Sequence, residues 1–122
     1  MSNLNLPDMS AHALRGIVKG DGNYHHIAYK TECMVTSDRV NITHHGNLIA
    51  VLRDEYIFIS NCGYETRTTA NRLDHIVRAY CPRYSVGITQ GSMVIRDRDN
   101  GWAESPVYPG GIFINRNGTI TR

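Results

Sequence analysis

Between residues 39 and 60 the chain alternates apolar stretches with short polar breaks, in the manner of successive β-strands. Val40 and Ile42 alternate with Asn41 and Thr43, the period-two pattern of a strand with one buried face. Gly46-Asn47 turns the chain, and residues 47–53 and 56–60 follow as two nearly continuous apolar runs. The break between them, Asp54-Glu55, is short enough for a hairpin. Beyond Gly63 the period changes. Leu73, Ile76, Val77 and Tyr80 recur at the i, i+3, i+4, i+7 spacing of one helical face, which predicts an amphipathic helix over 69–80, ended by Pro82. Strands resume at 84–89, 92–96, 112–114 and 119–121, with Gln90-Gly91 and Asn117-Gly118 as two-residue turns. Upstream, residues 32–36 read as a further strand. Residues 1–24 carry Pro7, Gly16, Gly20 and Gly22 with only a weak apolar pattern. They read as a loosely ordered leader with room for one helical turn at 11–18.

These elements predict an α+β fold, a single domain over residues 25–122 following the leader. Its core is a small antiparallel β-sheet of about six short strands, with one amphipathic helix packed on it through Leu73, Ile76, Val77 and Tyr80. Residues 56–59 are apolar on both faces and one helix covers one face, so a homo-oligomer is expected. A length of 122 residues suits one domain of ordinary size. The formal charge is only +2, so any basic face must come from clustering and a large non-specific nucleic-acid surface is not demanded. The N-terminal residues lack the basic start and apolar core of a signal peptide, and no apolar run approaches membrane-spanning length. The expectation is a cytoplasmic protein with no membrane partner. Cys33, Cys62 and Cys81 are odd in number and widely spaced, which favours reduced thiols.

The chemistry concentrates before the helix. Thr68 or Thr69 is suited to cap it, since a Thr hydroxyl satisfies a free amide of the first turn. Arg67 and Arg72 flank the same helix N-terminus, whose free amides and dipole favour an anion, and Tyr64 just upstream offers a ring on which a base can stack. Tyr64, Arg67, Thr68, Thr69 and Arg72 are therefore the candidate phosphate-binding residues, weighed against a plain cap with solvated arginines. His25-His26 and His44-His45 invite a metal reading, but strand neighbours point to opposite faces, and no CxxC, HxH or HExxH spacing is present. Surface or turn histidines explain them better, and no metal or cofactor is expected. Cys62 and His75 lack the local signature of a thiol enzyme, and no acid/base pair stands out, so the protein reads as non-enzymatic.

Three stretches carry a resemblance: Gly46-Asn47-Leu48-Ile49-Ala50, then Asn61-Cys62-Gly63-Tyr64-Glu65-Thr66-Arg67-Thr68-Thr69, then Arg72-Leu73. Together they cover about a third of the chain. They resemble a set of small bacteriophage accessory proteins of unknown function, with a Gly-Asn-x-Ile-Ala strand and a Gly-aromatic-x-Thr-x-Thr-Thr helix start. Ala70 departs from that pattern, in which a Lys follows the Thr pair, and the leader is longer and more polar. The resemblance implies a phage setting, a host-cell cytoplasm and a β-rich fold. Small phage proteins in such a setting often bind and block host molecules. The leading expectation is thus a phage accessory protein that binds a phosphate-bearing ligand, a nucleotide signal of host defence or nucleic acid, with counter-defence as the role this implies. The alternative is a protein-interaction or virion-associated module, including a direct inhibitor of a host defence protein.

Overall fold

A computed structural model describes residues 6–121. In chain order, α1 (Ala11–Ile17) precedes β1 (Tyr24–Ala28), β2 (Thr31–Val35), β3 (Val40–His44), β4 (Asn47–Leu52) and β5 (Tyr56–Ile59). The long helix α2 (Arg67–Tyr80) leads to β6 (Tyr84–Thr89), β7 (Ser92–Asp97), a 3₁₀ turn (Arg98–Asn100), β8 (Ala103–Pro106), β9 (Ile112–Asn115) and β10 (Ile120–Thr121). Every strand pairing is antiparallel. Seven strands form one sheet in the order β1-β2-β3-β4-β5-β9-β10, and β6-β7-β8 form a second. The fold is α+β, with ten strands rather than about six and two α-helices rather than one among the described residues.

Cross-strand register lines up the buried positions. Val35, Val40, Leu52, Ile57, Ile114 and Ile120 are successive partners in one row, and Cys33, Ile42, Ala50, Ile59 and Ile112 in the next. Because strand side chains alternate between faces, both rows point to the same side of the sheet. Leu73, Ile76 and Val77 of α2 join them in one core. A bulge at Ile49, opposite Ile42 and Thr43, lets both Ile49 and Ala50 be buried. The small sheet adds Tyr84, Val86, Met93 and Ile95 to the core. Side chains of the α2 region seal its backbone: Val86 N donates to Asp74 Oδ1 at 2.9 Å, and Met93 N donates to Glu65 Oε2 at 2.7 Å.

The stretch expected as a loose leader is packed where it is described. Ser10 caps α1 by accepting from Ala13 N, and Met9, Leu14 and Val18 are buried in the common core. Arg15 donates to the Thr36 carbonyl and ties the helix to the end of β2. The expected strands appear within a residue or two of their predicted bounds, while β1 and β8 lack a clean period because both are partly exposed edge strands.

On the opposite face of the large sheet, Met34, Asn41, Val51, Phe58 and Phe113 form another partnered row, half-buried throughout. Gly111 has φ +86, and a Cβ there would sit 2.2 Å from the Phe58 ring, so only glycine fits beneath that ring.

Candidate functional site

The chain enters α2 through a tight turn. Cys62 and Gly63 both have positive φ, 52° and 84°, and Tyr64 N donates to the Asn61 carbonyl at 2.7 Å, as in a type I′ turn. Asn61 is buried and anchors this turn: its Oδ1 accepts from Gly63 N at 2.8 Å and its Nδ2 donates to the Val107 carbonyl at 2.7 Å. The cap that follows is Thr66, whose hydroxyl accepts from Thr69 N, while Ala70 N donates to the Thr66 carbonyl. Thr68 and Thr69, the expected caps, therefore lie inside the first turn. The amides of Arg67 and Thr68 have no acceptor among the described residues, as the geometry of a helix start requires.

This helix start forms one wall of a cleft of about 420 Å³. Tyr64, Thr66, Thr68 and Thr69 line it on the helix side, with Asn61 and Cys62 from the preceding turn. The other wall is the β3–β4 hairpin, contributing His44, His45, Asn47 and Ile49. That hairpin turns through His45 and Gly46, both at positive φ, 51° and 77°, which suits the two-residue connection. None of the lining residues is Asp, Glu, Lys or Arg.

Of the five residues singled out from sequence, Tyr64, Thr68 and Thr69 come together in the cleft. The two arginines do not join them. Five helical positions rotate a side chain by about 140°, so Arg67 and Arg72 cannot flank one anion from the same side. Arg67 lines a separate groove of about 260 Å³ with Asn71, Gly87 and Arg96. Arg72 is 2% exposed and lies beneath the helix start, where its hydrogen-bonding capacity is directed at protein groups. Nε donates to Thr31 Oγ1 at 2.9 Å, Nη2 to the Tyr29 carbonyl at 3.1 Å and Nη1 to the Thr68 carbonyl at 3.4 Å. It contributes a positive field behind the cleft and no direct contact surface.

His44 is the residue that sequence reasoning misjudged. The expectation of surface or turn histidines suits His45 in its turn. His44, however, pairs with Thr31 on the core-facing side of the sheet and is only 3% exposed. Burial, the nearby Arg72 charge and His45 push its pKa down to about 4, partly offset by a hydrogen bond to the Lys30 backbone. The ring is neutral near pH 7. Its Nδ1 lies 3.3 Å from Thr31 Oγ1, and its plane meets the His45 ring edge-on at 4.4 Å between centroids.

Cys62 lines the cleft with its thiol donating to the Leu48 carbonyl at 3.0 Å. His75 sits on the exposed side of α2, outside the cleft, bonded to the Asn71 carbonyl, so the two do not form a pair. Among the described residues no group of three or more His, Cys, Asp or Glu side chains is placed to hold a metal ion. No described helix is long and apolar enough to cross a membrane. The cleft thus combines the first turn of a helix, threonine side chains, a neutral imidazole and an exposed tyrosine ring. Asn47, Asn61 and Thr66 lie in two of the three sequence stretches that carry the phage resemblance, and folding brings those two stretches together at the cleft.

No curated protein and no solved structure matches the chain. Residues 6–120, from before α1 into β10 and including every residue of the cleft, match the family described as Kyanoviridae Gp96 protein, and the chain belongs to this family of phage proteins.

Proposed function

We propose that this phage protein is a non-enzymatic accessory protein that binds a small phosphate-bearing ligand in the cleft at the start of α2. One observation carries the reading: the first turn of α2, through Thr66, Thr68 and Thr69, forms a wall of a concave site whose lining contains no carboxylate. The Arg72 charge behind the first turn adds to the helix dipole, and Tyr64, 54% exposed, gives a planar group a surface to stack on. A nucleotide suits these features better than a nucleic-acid strand. Arg67 opens onto a different groove, and Arg96 is engaged by Glu104 at 3.0 Å, so no basic track leads from the cleft along which a phosphate backbone would run. A nucleotide signal of host defence is the class such an accessory protein would sequester.

The test is Thr68→Glu. A carboxylate in the first turn favours the helix dipole, so the fold keeps its stability, while an anion in the cleft is repelled. Isothermal titration with adenosine 5′-monophosphate is expected to show saturable binding to the wild type and about tenfold weaker binding to the variant, from the like charge placed beside the phosphate. Equal affinity in both proteins, or no heat with either, contradicts the reading.

A second reading rests on the outer face of the large sheet. Met34, Val51, Phe58 and Phe113 lie in one half-exposed row there, the face left without a helix over it in the expectation of a homo-oligomer. A second copy packed on this row would bury it. Light scattering after size exclusion should then give a dimer or larger mass that falls to a monomer in Val51→Lys. A strict monomer at high protein concentration sinks this reading.

A further inference from the structure

The small sheet leaves one backbone amide open beside two arginines. In an antiparallel strand every second residue turns its N–H away from the neighbouring strand. Along β6 these are Tyr84, whose N donates to the Cys81 carbonyl at 3.0 Å, and Val86, whose N donates to Asp74 Oδ1 at 2.9 Å. Ile88, two residues beyond Val86, points its N–H the same way. Its cross-strand partner Met93 agrees, because Met93 N is turned away from β6 to Glu65 Oε2 at 2.7 Å. Carboxylates of the α2 region thus close two open amides of this sheet. The Ile88 amide has no acceptor among the described residues. One helical turn before Asp74, the position that would serve it is Ala70, whose methyl group can accept nothing.

Ile88 instead lines the groove of about 260 Å³ that holds Arg67, Asn71, Gly87 and Arg96, and no carboxylate lines it. Arg96 is fixed there: Nε donates to Glu104 Oε2 at 3.0 Å and Nη2 to Thr89 Oγ1 at 2.8 Å. Its Nη1 has no partner among the described residues and lies over Gly87, where a Cβ would come within 2.3 Å of it. A glycine inside a strand weakens it and marks a place where another group must approach closely. Arg67 makes no hydrogen bond or ion pair among the described residues, so Glu104 answers one of the two charges and the other is unanswered. We propose that this groove is a carboxylate-binding site, in which Arg67, Arg96 Nη1 and the Ile88 N–H take the acid of an acidic peptide side chain or of a free small acid. A carboxylate is what the fold itself places on the neighbouring amides, and its two oxygens match an amide and a guanidinium together. The site is independent of the phosphate reading, since none of these residues lines the cleft.

The test is a titration of the ¹⁵N-labelled full chain with a doubly blocked alanine-glutamate-alanine peptide, with its glutamine counterpart and with acetate, at constant ionic strength. The glutamate peptide is expected to shift the Ile88 amide saturably and the glutamine peptide to leave it in place. Arg67→Ala is expected to weaken the binding about two- to fivefold, as loss of an exposed ion pair does. Tighter binding of the glutamate peptide than of acetate supports the site with a protein segment as its ligand, and equal binding supports it with a small acid. No saturable shift at Ile88 with either carboxylate, the same shift with the glutamine peptide, or unchanged affinity in Arg67→Ala overturns the inference.

Discussion

Arg72 shows how far a charged side chain can be from the surface when its neighbours supply acceptors. Its Nε proton rests on Thr31 Oγ1, and the rest of the guanidinium on two carbonyls. Thr31→Val would leave that proton buried and unpaired, at a cost of about 2–3 kcal/mol for a bond to a charged group. Arg67→Ala, on the exposed side with no side-chain hydrogen bond among the described residues, should stay within about 0.5 kcal/mol. Urea unfolding of the two variants checks the contrast, and equal midpoints would refute the buried relay. His44 adds a pH signature. In the unfolded chain its ring takes a proton at its ordinary value, about 6.5. In the folded protein it does so only at about 4. Between those values the unfolded state binds more protons, so this contribution to stability is complete above about 6.5 and is lost as the pH falls to about 4. Over that window the wild type should lose on the order of 2–3 kcal/mol more than His44→Phe, measured as unfolding free energy against pH.

At the level of elements, the central hairpins and α2 were legible because long apolar runs, a helical period and turn dipeptides agreed with one another. The start of α2 was displaced by two residues, since Thr66, Thr68 and Thr69 are all chemically able to cap and only backbone geometry chooses between them. Thr66→Ala should therefore cost about 1 kcal/mol, whereas Thr68→Ala, outside the cap, should cost only a few tenths, which thermal unfolding distinguishes. Arg72 was legible in part. It stands four residues before Ile76 on the face the helix buries, a position that its charge disguised. The helix α1 was legible only as room for one helical turn at 11–18, because seven residues with a single buried apolar side chain show no clear period, and its packing into the core was not legible. Its burial predicts that Leu14→Ala destabilises the whole domain by about 2–5 kcal/mol. A change of a few tenths in urea unfolding would mean that the segment is the loose leader its composition suggested.

For the whole molecule, the cleft is a product of topology. The hairpin carrying His44 to Ile49 and the turn carrying Asn61 to Thr69 are brought together by the β4–β5 pairing, where Ser60 N donates to the Ile49 carbonyl at 2.9 Å. Sequence periodicity reports which residues are inside an element and is silent on which side chains of different elements share a cleft, so Tyr64 and the threonines were singled out while His44 was not. The measurement that tests the phosphate cleft most directly is a titration of ¹⁵N-labelled protein with inorganic phosphate, followed amide by amide. A saturable shift centred on the Thr68 amide, reaching Cys62 and His44 and absent in Thr68→Glu, is the predicted result. No saturable shift, or one centred on the groove between Arg67 and Arg96, would contradict it.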